Sequence, residues 1–238
     1  YLKSKLDAGC SPVTVNSKRR ELLTILRAAY RAKLCQRPAA ARVQRLVEPD
    51  PIPTAWTAEE CGRIFRAANT LAGTVAGLPR NQWWLSLFLA AYSCGERIKP
   101  LVFARTCDLD LSAGTLLLRW QTVKTRKNRL VWLLSEAVDA IRLIYDPARE
   151  RIWPWPHDNK RHFFRQARRI IEAAKVPAPK NEKSLFQKLR RTSGSMVEAA
   201  GGDGARHLGN SRRVFLKHYR AANLCGGSQV HRLARVAF

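Results

Sequence analysis

Apolar residues recur at helical spacing over residues 14–34, where Val15, Leu22, Leu23, Leu26, Ala29 and Tyr30 follow the turn-forming run Gly9-Cys10-Ser11-Pro12 and precede Pro38. This spacing predicts a long amphipathic helix. The pattern stops at residues 47–54, where Pro49, Pro51 and Pro53 forbid both a helix interior and a central strand. A domain boundary is therefore expected, with residues 1–46 as one domain, 47–56 as a linker and 57–238 as a second domain. The second domain opens on Thr57-Ala58-Glu59-Glu60, a reciprocal capping box in which the Thr57 hydroxyl and the Glu60 carboxylate each take a free N–H. A helix over about 58–68 follows from it.

Residues 82–93 are apolar on nearly every side, too short to cross a bilayer, and suited to a helix at the centre of a core. Two runs, Thr115–Trp120 and Arg129–Leu134, have strand composition around a polar turn, which predicts a hairpin with a basic tip. Helical patterning returns at 159–174 and 184–199, and Gly201, Gly202 and Gly204 break the chain before the basic, helix-like stretch 212–223 that carries Tyr219. Gly226 and Gly227 read as a hinge leading to a tail, 226–238, with a short apolar helix over 229–238 marked by Val230, Leu233 and Phe238. The tryptophans at 83, 84, 153 and 155 are expected in the core, and His157 and His162 as packing or surface residues. The fold class is mainly α with a small antiparallel β-sheet (α+β).

Charge narrows the partners. The 43 Lys and Arg residues against 18 Asp and Glu give a formal charge of +25, more than solubility requires, and point to a polyanion. No apolar run approaches the roughly 20 residues of a membrane span and no secretory signal opens the chain, so DNA or RNA is favoured over a membrane. Residues 160–191 hold eleven Lys and Arg against two acids, which reads as a phosphate track. Cys10, Cys35, Cys61, Cys94, Cys107 and Cys225 show no Cys-x-x-Cys pair and no metal-ligand spacing, as expected of reduced thiols in a cytosolic protein without a metal site. The chain begins at Tyr1 and its only methionine is Met196, so it reads as part of a longer product.

Four segments, in order, resemble the tyrosine recombinases, or phage-type integrases. The run from Cys94 to Asp110 resembles the family's first arginine box and assigns the first catalytic arginine to Arg97; Asp108 and Asp110 match its acidic end and are expected to orient structure. The hairpin from Thr122 to Leu133 is similar to the one carrying the family lysine, here Lys124, although Lys127 on the same tip is an alternative. Leu185–Asp203 resembles the second arginine box and gives Arg190, and His207–Arg220 resembles the Leu-Gly-His segment followed by the nucleophile, Tyr219. The N-terminal domain is similar to the later part of the family's helical core-DNA-binding domain.

The resemblance implies a site-specific DNA recombinase or integrase, cytoplasmic and nucleoid-associated, encoded by a prokaryote or a mobile element, working on double-stranded DNA as a homotetramer on paired sites. Arg97 and Arg190 would clamp the scissile phosphate, since a guanidinium stays charged and offers a planar fork to phosphate oxygens. Tyr219 would attack the phosphorus, and Lys124 would protonate the leaving 5′-oxygen. The product, a 3′-phosphotyrosyl link, keeps the phosphodiester energy, so neither metal nor cofactor is implied. Arg126, Lys127, Arg129, Lys188, Arg191, Arg212 and Arg213 would contact DNA.

Three positions depart from the family pattern. Gln187 stands where a histidine usually precedes the second arginine, Asn210 replaces the histidine of Leu-Gly-His, and Pro100 replaces an acid after Arg97. An amide donates to a phosphate oxygen but does not carry a proton, so base assistance to Tyr219 is weakened unless His207 or His218 substitutes. The alternative reading is a catalytically impaired DNA-binding accessory protein of the same fold.

Overall fold

The computed structural model describes residues 1–36, 43–48, 52–157, 160–180 and 184–225. The expected tail helix at 229–238, its glycine hinge and Pro38 lie outside these residues. The chain divides into two compact units, Tyr1–Pro51 and Ile52–Phe238.

In the first unit, α1 (Leu2–Asp7) leads to α2 (Pro12–Arg31). The Ser11 hydroxyl caps α2 by accepting from the Thr14 N–H, and Pro12 fits the first turn, where no N–H is needed. Val15 and Leu23 are buried. Asn16, also buried, donates to Leu46 O and Glu48 Oε1 and accepts from the Leu46 N–H, which ties residues 46–48 to the helix.

The second unit begins before the capping box. Residues 52–56, expected as linker, belong to it: Trp56 is buried, with its N–H on the Thr192 hydroxyl and its indole N–H on Pro177 O. Both halves of the capping box form at the start of α3 (Ala58–Asn69). A two-stranded antiparallel ribbon, β1 (Thr74–Val75) and β2 (Leu78–Pro79), precedes α4 (Arg80–Cys94). This ribbon escapes sequence patterning because its strands are two residues long; its turn places Ala76 and Gly77 at positive φ.

Helix α4 is buried along most of its length and packs against α3, α6 (Ser135–Arg142) and α8 (Leu185–Ala199). Trp83, Trp84 and Trp153 fill this core, and the Trp153 indole N–H finds Ser86 Oγ at 3.0 Å. Burying a ring of this size contributes strongly, provided its N–H is satisfied. Between α4 and α6 lie α5 (Ile98–Val102) and a three-stranded antiparallel sheet, β3 (Leu109–Asp110), β4 (Thr115–Leu118) and β5 (Arg129–Trp132), in that order. Both hairpin strands are two residues shorter than the pattern predicts. Trp120 donates its N–H to Asn128 Oδ1 rather than across the ladder, and Leu134 becomes the N-cap residue of α6.

Helix α7 (Lys160–Ala173) packs against α3 and α8; α9 (Gly204–Leu208), α10 (Arg212–His218) and α11 (Ala222–Cys225) follow α8. Asp108 and Asp110 have the structural roles expected of them. Asp108 forms a two-point pair with Arg119 at 2.6 and 2.8 Å, and Asp110 caps the turn at Ser112 and Ala113. Among the described residues no helix is long and apolar enough to cross a membrane.

Candidate active site

Four local features converge on one cluster. At the end of α4, Gly95 turns left-handed with φ +55°, and a Cβ there would stand 2.4 Å from Leu208 Cδ2, so glycine is required on both counts. The turn buries Glu96 and sets Arg97 at the N-cap of α5, its N–H donating to Glu96 Oε1 at 2.8 Å.

From α8, Gln187 and Arg190 project from the same face, one turn apart. Arg190 is 1% exposed. Its Nη1 donates to Gly95 O at 2.5 Å and meets Glu96 Oε1 at 3.2 Å; its Nη2 donates to Leu208 O at 2.6 Å and reaches Asn210 Oδ1 at 3.5 Å. Burial lowers the Arg190 pKa and the Glu96 carboxylate opposes it. A guanidinium nevertheless stays charged in proteins.

Helix α9, capped by Asp203, runs close beneath α8, since a Cβ on Gly204 would meet Gly194 O at 2.4 Å. That approach brings Leu208 O and Asn210 to Arg190. Helix α10 ends at Tyr219, which is the residue capping its C-terminus rather than a member of the helix. Its carbonyl accepts from Ser195 Oγ at 2.8 Å, and its ring joins Ala205, Leu208 and Phe215 in a small apolar cluster.

Tyr219 is 5% exposed, its phenol oxygen accepts from Gln187 Nε2 at 2.9 Å, and Arg190 Cζ stands 5.3 Å from the ring centre. Burial alone would raise the phenol pKa, but Arg190, the Gln187 amide and Arg97 together hold it below the ordinary value. Two donors in the cluster, Arg190 Nε and Asn210 Nδ2, are buried with no acceptor among the described residues. Unpaired buried donors are rare because each forfeits its hydration, and beside a phenol and several guanidiniums they suit an incoming anion.

The structure thus brings Arg97, Gln187, Arg190, Asn210 and Tyr219 together. Lys124 is exposed on the connection between β4 and β5, as are Arg126 and Lys127, and no hydrogen bond or ion pair joins Lys124 to the cluster among the described residues. Arg213 is likewise exposed. Arg129, expected on DNA, is instead committed inside the protein, to Glu96 Oε2 at 2.6 Å, Leu208 O at 3.2 Å and His207 O. Arg191 is tied to His218 O and Thr54 O, Arg212 pairs at two points with Glu198, and Lys188 lies over the Trp56 ring. Carbonyls left open at helix ends and loops attract many-donor side chains such as Arg129 and Arg191, and no sequence pattern reports such partners.

Neither histidine substitutes at Tyr219. His218 is exposed, and His207 Nε2 lies 2.7 Å from Ser193 Oγ, engaged there rather than at the phenol. Burial, then Arg129 and Arg190, push the His207 pKa down to about 4. The unfolded chain therefore takes up this proton first as pH falls. Its contribution is intact above about 6.5 and is lost on the way down to about 4, at a cost of about 3 kcal/mol. Urea unfolding at about pH 7 and about pH 4.5 should show His207→Gln losing less stability on acidification than the parent. An equal loss in both would remove His207 as the cause.

Sequence reasoning missed Glu96. The acid expected after Arg97 is Pro100, and the buried carboxylate of the cluster comes from the residue before Arg97. Its one signal was an acid placed directly after a helix-ending glycine.

No protein-family model matches the sequence, and no curated protein is similar to it. Solved structures are. A lambda integrase dimer bound to a COC′ core site is 17% identical with a TM-score of 0.71, over 98% of this chain and 81% of that one. A lambda integrase tetramer bound to a Holliday junction is 17% identical with a TM-score of 0.67, over 92% and 63%. The Tn1549 transposon integrase in complex with a circular intermediate DNA is 15% identical with a TM-score of 0.64, over 91% and 78%. The fold of this chain is therefore that of the tyrosine recombinases.

Proposed function

We propose that this chain is the catalytic region of a site-specific DNA recombinase that cleaves and rejoins DNA through Tyr219. The Tyr219 phenol gives up its proton to water, its oxygen forms a bond to the scissile phosphorus, the bond from phosphorus to the 5′-oxygen breaks, and that oxygen takes a proton from Lys124 or Lys127 on the hairpin. Arg97 and Arg190, with the spare donors of Arg190 Nε and Asn210 Nδ2, neutralise the charge that gathers on the nonbridging oxygens. Attack by another 5′-hydroxyl reverses the step. The partners are double-stranded DNA and further copies of the chain, four on two paired sites.

The observation that carries this reading is a buried phenol whose oxygen is hydrogen-bonded by Gln187 and whose pKa is drawn down by Arg190 and Arg97. A packing tyrosine has no need of that setting. The test incubates the protein with a pool of randomised nicked duplexes, denatures the mixture, recovers protein-bound DNA and maps the modified peptide. Covalent DNA on the Tyr219 peptide supports the reading; specific DNA binding without any adduct defeats it.

One observation favours the accessory-protein reading. The group at the phenol is an amide that donates its hydrogen bond, so among the described residues the phenol is held by a donor and not by a proton acceptor. Gln187→His with Asn210→His is therefore expected to raise single-turnover adduct formation by about 10²-fold, within the range for one proton-transfer group. An unchanged rate would mean that proton removal from Tyr219 is not limiting.

A further inference from the structure

We propose that Glu96 is the positioning residue on which the arginines of this site are mounted, an inference that rests on the recombinase reading above. Its carboxylate is 2% exposed and serves three cations at once. Oε1 accepts the Arg97 N–H at 2.8 Å and Arg190 Nη1 at 3.2 Å, with Arg97 Nη1 at 3.9 Å; Oε2 accepts Arg129 Nη1 at 2.6 Å. Each oxygen has two lone-pair directions, so this one side chain supplies fixed acceptors to residues from three separate segments.

Two clamp arginines placed to meet one phosphate repel each other before it arrives. A single buried anion between them removes that penalty and sets their spacing. Breaking such a buried pair is costly, whereas building one adds little net stability, so its value here lies in geometry. The third cation extends the arrangement. Arg129 opens β5 directly after the connection that carries Lys124, so the carboxylate holding the clamp also fixes the root of the hairpin. Arg129 further donates to Leu208 O, which Arg190 also uses. Glutamine at position 96 would leave one acceptor oxygen and point an NH₂ at a guanidinium.

The test compares the parent chain, Glu96→Gln and Glu96→Asp on a nicked duplex enriched from the randomised pool. Adduct formation at saturating DNA should fall by about 10²-fold in Glu96→Gln, while affinity for the duplex stays within about threefold, the signature of a lost transition-state arrangement. Glu96→Asp keeps the charge but is a methylene short, and should recover part of the rate. In ¹⁵N-arginine-labelled protein, the solvent-protected guanidinium signals of Arg190 and Arg129 should disappear in Glu96→Gln. Equal rates in parent and Glu96→Gln, or a loss confined to DNA affinity, would overturn the proposal. If Glu96→Gln does not fold, a Glu96→Asp rate equal to the parent's overturns it. A parent that forms no adduct defeats the recombinase reading instead, and the arginine signals then decide for or against Glu96.

Discussion

Tyr219→Phe is expected to remove every denaturant-stable DNA adduct while leaving affinity for the same duplex within about twofold. The substitution deletes one oxygen. The ring keeps its place among Ala205, Leu208 and Phe215 and beneath Arg190, so packing is preserved. Folding loses the Gln187 hydrogen bond, worth about 1 kcal/mol, and the interaction of the phenol oxygen with Arg190, and the half-buried Gln187 amide can turn to water. Binding depends on the basic surface, which the change does not touch. In the parent, the rate should rise with pH as the phenol ionises and should level off below the range of an ordinary tyrosine, because Arg190, Gln187 and Arg97 outweigh burial. Denaturing gels of labelled duplex across that pH range check both statements. An adduct that persists in the Phe variant would place the nucleophile on another residue.

What could be read from the sequence was what local chemistry writes there. The Thr57–Glu60 capping box, the apolar run that became α4 and the hairpin around the basic tip are short-range signals, and the structure has all three. Residue types separated by 32 positions, Gln187 and Tyr219, meet where the end of α10 comes beside α8. The omissions have a common cause. Arg129 was expected to contact DNA, yet its guanidinium is held by carbonyls 78 and 79 residues away. Glu96 drew no reading from the sequence, and only the assembled core shows that its carboxylate is enclosed by arginines. Strand ends were overextended because Trp120 and Leu134 have strand composition but take side-chain and helix-capping partners. Long-range polar partners leave no periodicity for a reader to find.

Arg190→Lys should lower adduct formation at saturating DNA by about 10³-fold, the loss expected when preorganised donors are withdrawn from a transition-state charge. The exchange keeps the positive charge, so the prediction isolates geometry. Arg190 spends Nη1 on Gly95 O and Glu96 and Nη2 on Leu208 O, and holds Nε in reserve. An ammonium has three donors radiating from one atom on a flexible stem. It cannot hold Gly95 O and Leu208 O from two nitrogens of one plane while presenting a further N–H to a phosphate. The same change frees acceptors in a region 1% exposed, so stability should drop by about 2 kcal/mol, a fraction of what is lost when a buried pair loses one charge outright. Because stability and rate fall together, urea unfolding and single-turnover cleavage belong in one experiment, at a temperature where both proteins are folded. A folded Arg190→Lys protein that cleaves within tenfold of the parent would show that charge alone suffices at this position, and the phosphate clamp would then rest on Arg97 and the amides of Gln187 and Asn210.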